Sequence, residues 1–258
     1  MDGKQLQTIW RSGTPSFGAW VTLTDPTVAA VLCNIGYEWL VIDTEHHPFN
    51  PQTLREIISV VRARNAVPIV RVPGNNADWI KQILDFGAEG VVIPMLHTAA
   101  DAQAALAACR YPPYGIRGFN PRDASNFFKD LDHYLATIND RVVVVLQVEH
   151  IDAVNNLDGI LAVPGIGGIL IGPADLSYSM GLPLQTAHPE MQAAIKTTIL
   201  KCNAAGVPVG IFMNGAPEEL ASWMRLGLNF MAPGADYDWL SQAGKTLLDQ
   251  VRALTGGR

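Results

Sequence analysis

"GVVIPMLHTAADAQAALAACRY", residues 90–111, joins a short unbroken apolar run to an alanine-rich segment of helical character. A Val/Ile run without polar alternation suits a strand covered on both faces, as in a parallel sheet flanked by helices. Such a strand followed at once by a helix is one strand–helix unit, and the rest of the chain repeats it. Further runs are "FGAWVTL" (17–23), "WLVIDTE" (39–45), "VPIVRVP" (67–73), "VVVVLQVE" (142–149), "GGILIG" (167–172), "VPVGIF" (207–212) and "NFMAPGA" (229–235).

Helical segments lie between these runs. "NPQTLREIISVVRARN" opens with a capping Asn and a Pro at the first helical position, then sets Leu54, Ile57, Ile58 and Val61 on one face. "HPEMQAAIKTTILKCNAAG" closes on a glycine suited to a helix C-cap. Eight strands, each followed by a helix, predict a TIM (β/α)8 barrel, with a doubly wound open sheet as the alternative. No linker or low-complexity stretch divides the chain, so residues 1–258 are expected to form one domain. The longest connection, 111–140, mixes Gly, Pro, Arg and aromatics, a composition suited to a subunit interface or a lid.

Composition narrows the function. The chain of 258 residues is 48% apolar and 16% charged, with a net charge of −6 and a pI near 5.4. Nucleic-acid binding needs a clustered basic face, and none is expected here. The N-terminal "MDGKQLQTIWRSG" has no apolar signal stretch, and no segment approaches a membrane span. Cys33, Cys109 and Cys202 are far apart and odd in number, which reads as reduced thiols in a cytoplasmic protein.

A barrel carries its chemistry at the C-terminal ends of its strands. Those ends hold Asp43, Glu45 and His46 on the second strand, Arg71 on the third, and His97 after the fourth. The fifth carries Gln147, Glu149 and His150; Asp175 follows the sixth and Asp236 the eighth. Gln147 and Glu149 are two residues apart and share a strand face. Asp175 follows the neighbouring strand, so its carboxylate can converge with that of Glu149. Two carboxylates, with the other positions left to water and substrate, suit a hard ion such as Mg²⁺ or Mn²⁺. A structural zinc is not expected without cysteine ligands. Gly172, Pro173 and Ala174 form a turn able to present backbone N–H groups to an anion. All six lysines (Lys4, Lys81, Lys129, Lys196, Lys201 and Lys245) fall outside the strands, which argues against a Schiff-base mechanism. Arg71, inside an apolar strand, needs a counter-anion; a substrate enolate is one, and a structural ion pair is the other.

"VIDTEHHPF", "IVRVP", "IKQILDFGAEGVVIPML", "CRYPPYGIRGF", "VLQVEH" and "GILIGPADLSYSMG", in this order over residues 17–235, resemble the class II, metal-dependent pyruvate aldolases. That group includes 4-hydroxy-2-oxoheptanedioate, 2-dehydro-3-deoxyglucarate and 2-keto-3-deoxy-L-rhamnonate aldolases. The resemblance implies reversible cleavage of a 4-hydroxy-2-oxo acid to pyruvate, or hydroxypyruvate, and an aldehyde by way of an enolate. It assigns Glu149 and Asp175 to a divalent metal: Mg²⁺ or Mn²⁺ first, with Co²⁺, Ni²⁺ or Zn²⁺ as other candidates. Arg71 would stabilise the enolate oxygen, while Gln147, Gly172 and the backbone N–H groups of Ala174 and Asp175 would position the substrate. His46 would be the acid–base residue, and Asp85 would raise its basicity. His47 is not at the family's catalytic position. Two other functions remain: a related lyase acting on acyl-CoA hydroxy acids, and a non-catalytic barrel that binds 2-oxo acids. At the C-terminus, Leu240, Ala243, Leu247, Val251 and Leu254 form an apolar seam that could pack on the chain's own barrel. The resemblance implies instead that this helix is swapped between protomers of a homohexamer.

Overall fold

The structure is a computed structural model and describes residues 1–255; residues 256–258 of the expected domain lie outside them. Eight parallel strands close into a barrel in sequence order. They are β1 Ser16–Val21, β2 Trp39–Asp43, β3 Val67–Arg71, β4 Gly90–Ile93, β5 Val143–Val148, β6 Gly168–Ile171, β7 Val209–Phe212 and β8 Phe230–Ala232. Every expected strand is present, and closure of β8 on β1 removes the open-sheet alternative.

The helices are α1 Gly3–Arg11, α2 Pro26–Ile35, α3 Pro51–Ala63, α4 Ala77–Asp85, α5 Ala99–Cys109 and α6 Leu131–Arg141. They continue with α7 Ile151–Asn155, α8 Leu157–Leu161, α9 Pro173–Ser179, α10 Pro189–Ala204, α11 Pro217–Arg225 and α12 Asp236–Thr255. The side chain of Asn50 caps α3 by accepting the Thr53 N–H, and Leu54, Ile57, Ile58 and Val61 are its buried face. None of the helices among the described residues is long and apolar enough to cross a membrane.

Side chains alternate in and out of the barrel along each strand. Leu40, Ile42, Val70, Val91 and Val144 face the helix layer. Trp39, Val41, Val67, Ile69, Val92, Val143, Val145 and Leu170 fill the interior. Gly210 makes room for the Phe230 ring, which occupies the place where a Cβ would stand. A fully buried side chain of this size contributes about 1.5–3 kcal/mol.

Two features depart from the sequence reading. The N-terminal arm is a helix, α1, and it plugs the bottom of the barrel. Its Trp10 stacks on Phe230 with centroids 4.0 Å apart and meets Trp39 edge-on at 5.8 Å. The 111–140 connection is not all loop, because α6 occupies its second half. The apolar spacing in α6 is short, and only Tyr134 and Ile138 are buried, so its periodicity is hard to see in sequence. The seam on α12 does not pack on its own barrel: Leu240 is 69% exposed and Leu254 87%.

Candidate active site

The same alternation that fills the interior aims the polar residues into its upper mouth. Asp43 follows Trp39 and Val41 on the inward face of β2, and Arg71 follows Val67 and Ile69 on β3. The two are cross-strand partners in the register of β2 and β3. Gln147 and Glu149 continue the inward series of Val143 and Val145 on β5.

Asp43 and Arg71 are both buried and form a two-pronged ion pair, Nε to Oδ1 at 2.9 Å and Nη2 to Oδ2 at 2.6 Å. Burial alone would raise the pKa of Asp43, but the hydrogen bonds and charge of Arg71 prevail and hold it below the ordinary carboxylate value. Arg71 has five N–H donors, and two are spent on Asp43. Its Nη1 stands 2.9 Å from Glu45 Oε2, close enough for an ion pair, yet Glu45 Oε2 is buried without an aligned hydrogen bond. The guanidinium lies over Trp20, 5.3 Å from the ring centroid, and Trp20 stacks on Phe212 at 4.4 Å. The counter-anion that Arg71 needs is therefore a protein carboxylate, the structural alternative left open by the sequence. Three guanidinium hydrogens stay uncommitted to hydrogen bonds.

Across the mouth, Glu149 Oε1 accepts the Met95 N–H at 2.8 Å, and Glu149 Oε2 accepts from the amide of Gln147. Met95 reaches this position with φ of +55°, a left-handed backbone conformation. Burial, reinforced by the nearby charges of Asp175 and Glu45, pushes the Glu149 carboxyl up to about 7. Burial also raises Glu45, with Asp43 and Asp175 adding to the effect and Arg71 opposing it. A Cβ on Gly172 would stand 2.9 Å from Glu149 Cβ and 3.0 Å from Gln147 Nε2, so only glycine lets these side chains occupy the mouth. Gln147 Oε1 is buried with no hydrogen-bond partner. Glu149 and Glu45, both raised by burial and crowded by the charge of Asp175, stand beside an orphaned amide oxygen and form a hard oxygen site short of positive charge. These residues fit a divalent cation.

Asp175 and Ala174 lie exposed in the first turn of α9, a helix with no side-chain cap. The N–H groups of that turn have no intrahelical acceptors.

The adjacent histidines occupy different environments. His46 is 61% exposed, with Nε2 3.6 Å from Glu45 Oε2. His47 is half-buried with Nδ1 2.9 Å from Asp43 Oδ2; because that carboxylate only accepts, Nδ1 is the donor. His47 thus belongs to the Arg71–Asp43 network, which its spacing in sequence did not reveal.

Asp85 does not meet His46 within one chain. It ends α4, which runs back from the mouth towards the start of β4, and it pairs with Arg117 at 2.7 Å. Asp236 does not line the mouth either. It is buried, and accepts the backbone N–H groups of Thr22 and Leu23 and the Thr22 hydroxyl, fastening the start of α12 to the end of β1.

Sequence reasoning missed Asp43 as the hub of the mouth, as well as Trp20 beneath Arg71 and the Met95 N–H on Glu149. The period-2 series Trp39, Val41, Asp43 carried the signal for the first; nothing local signals a backbone N–H reaching across from β4 to β5. None of the six lysines lies on a strand.

Residues 16–243 match the sequence profile of the family described as HpcH/HpaI aldolase/citrate lyase. A 4-hydroxy-2-oxo-heptane-1,7-dioate aldolase of Salmonella heidelberg is 41% identical over 239 residues, covering 92% of this chain and 90% of that protein. The crystal structure of a family protein from Burkholderia cenocepacia superposes with a TM-score of 0.91 at 32% identity, over 96% of this chain and 99% of that one. Citrate synthase SbnG is similar at 27% identity and a TM-score of 0.88, over 97% of this chain and 98% of its own. These relatives favour neither an acyl-CoA lyase nor a non-catalytic barrel. The chain belongs to the HpcH/HpaI aldolase/citrate lyase family and is a carbon–carbon lyase, a metal-dependent class II aldolase.

Proposed function

We propose that this aldolase cleaves 4-hydroxy-2-oxo acids reversibly, giving pyruvate, or hydroxypyruvate, and an aldehyde. The observation that carries this reading is the Arg71–Asp43 pair facing Glu45, Glu149 and Asp175 across one mouth: a fixed cation opposite a carboxylate set in need of one. Glu149 and Asp175 hold a divalent cation, Mg²⁺ or Mn²⁺ by the hardness of their oxygens. When bound, that ion supplies Lewis-acid polarisation of the 2-oxo group.

The chain's own residues do the rest. Asp43 holds the Arg71 guanidinium in place, and its uncommitted N–H groups face the keto oxygen as charge grows there, with no reorganisation required. Gln147 offers its amide to the substrate, and the first N–H groups of α9, at Ala174 and Asp175, receive the substrate carboxylate. Gly172 keeps that space open. His46, exposed at the rim, takes the proton from the 4-hydroxyl as the C3–C4 bond breaks, and a proton returns to the C3 carbanion before release. Phe212 and Met213 border the aldehyde side.

Asp85 reaches a His46 only from another protomer, because the two lie at opposite ends of their own barrel. A cavity of 310 Å³ lined by Asp85, Asn120, Arg122 and Asp123 offers room for such a neighbour. The unpaired seam of α12 and the exposed Phe119, Phe127 and Phe128 support the same assembly, a homohexamer with α12 exchanged between protomers. Residues 1–258 act as one cytoplasmic catalytic domain.

The test is exchange of the methyl protons of pyruvate in D₂O with Mg²⁺ or Mn²⁺ present, followed by NMR. Exchange at a rate lost in Glu149→Ala is expected. Exchange no faster than in that variant would overturn the enolate reading, and exchange without cleavage of any 4-hydroxy-2-oxo acid would overturn the substrate.

A further inference from the structure

Among the described residues, one group of three His, Cys, Asp or Glu side chains brings its ligand atoms within 4.8 Å of one another: His97, His150 and Asp152. His97 sits in the loop between β4 and α5, and the other two at the junction of β5 and α7. They therefore flank the two loops that carry Met95 and Glu149. We propose that this triad is a second metal site, selective for a borderline divalent ion of the zinc class and distinct from the Glu149–Asp175 pair.

Three observations carry the assignment. The Nδ1 of His150 lies 3.4 Å from Asp152 Oδ2, without a hydrogen bond between them. Two ligands of a tetrahedral zinc, each bonded at ~2.0–2.1 Å, stand at roughly this separation. The Nε2 of His97 is buried and has no hydrogen-bond partner. The loop that bears His97 is also fastened in place. Its backbone N–H donates to Asp101, and its carbonyl accepts from Asn156 at 2.9 Å, so the imidazole is presented by a fixed backbone. The imidazoles of His97 and His150 lie face to face at 4.6 Å, 13° from parallel. An ion beside them takes His150 through Nδ1, displacing the Asp152 N–H that now donates to it, and takes His97 edge-on after a turn of the ring.

Ligand chemistry separates the two sites. Imidazole with one carboxylate selects Zn²⁺, Co²⁺, Ni²⁺ or Cu²⁺, whereas paired carboxylates in a mouth suit Mg²⁺ or Mn²⁺. Three protein ligands leave a fourth position to water, on a rim where Asp152 is exposed. The bound ion ties the loop after β4 to the loop after β5, the two segments whose contact at Met95 and Glu149 shapes the mouth.

Calorimetric titration of the whole protein with Zn²⁺, in excess Mg²⁺ to occupy the mouth, tests the assignment. One Zn²⁺ equivalent is expected in the wild type and in Glu149→Gln/Asp175→Asn. An affinity at least tenfold weaker is expected in His97→Ala and in Asp152→Asn. Ring ¹⁵N spectra of the unmodified protein give a readout independent of any variant, with two of its six histidines shifting on Zn²⁺ addition. Absence of the equivalent, its survival in the His97 and Asp152 variants, or its loss in the Glu149/Asp175 variant each overturns the proposal. The last outcome would place zinc in the mouth and leave the aldolase reading intact.

Discussion

Asp43 and Arg71 sit side by side on neighbouring strands, buried together and joined by two hydrogen bonds of 2.9 and 2.6 Å. The pair makes the guanidinium a fixed object. Removing one partner of a buried ion pair costs about 3–5 kcal/mol, because the other charge is left uncompensated. Asp43→Ala is expected to lose stability on that scale in urea denaturation. Its kcat should fall ~10²-fold, from misplacement of Arg71. Arg71→Lys keeps the charge and loses the fork, so its kcat should fall while its stability loss stays smaller. Equal stability losses in the two variants would argue against the uncompensated charge as the source.

Acid stability reads the same pair. The folded-state pKa of Asp43 lies below its ordinary value, burial being outweighed by Arg71. A carboxylate lowered on folding contributes stability that is fully present above its unfolded pKa, about 3.9, and is lost as pH falls through the folded value. The wild type should therefore exceed Asp43→Asn in unfolding free energy at pH 6, with the gap closing below about pH 4. Urea midpoints across that range check it. A gap that stays constant would remove the charge from the account.

His46 and His47 should separate cleanly. His46 is exposed and its ring stands 3.6 Å from Glu45, so His46→Asn should leave stability within ~0.5 kcal/mol. Its kcat should fall about 10²–10⁴-fold if it moves the proton. His47→Asn loses the bond to Asp43 and should cost about 1 kcal/mol, with the smaller effect on kcat. Equal kcat losses would deny His46 its special role.

The position of Asp85 calls for mixing subunits. His46→Asn and Asp85→Asn should each be nearly inactive alone, with melting temperatures recorded to follow the loss at Arg117. Reassociated one to one, a site that draws its two residues from different protomers regains roughly a quarter of wild-type activity by random pairing. No recovery from well-folded variants would place the partner of His46 elsewhere.

The residues differ in how much of this was legible in the sequence. Unbroken apolar runs marked all eight strands, because a parallel strand covered on both faces has no polar side to interrupt it. The inward direction of Asp43, Arg71, Gln147 and Glu149 follows from strand alternation alone. Helix α1 was missed because its buried positions, Leu6 and Trp10, face a barrel floor that exists only after β2 and β8 have met. Helix α6 was missed because it buries too little to show a period.

The sequence by itself determined the strand–helix repeat and the set of acids, amide and arginine at the strand ends, since these depend on periodicity along one chain; that the sheet closes, β8 on β1, was decided in three dimensions. Tertiary structure alone decided which partners those groups take. Arg71 received Asp43 as its counter-ion, His47 was drawn into that pair, Asp85 was turned towards Arg117, and His97 was stacked on His150. Each of these pairings joins residues on different strands, loops or helices, or, for His47, a turn that folds back on its strand. Spacing along the chain carries no measure of the distance that barrel closure sets between them.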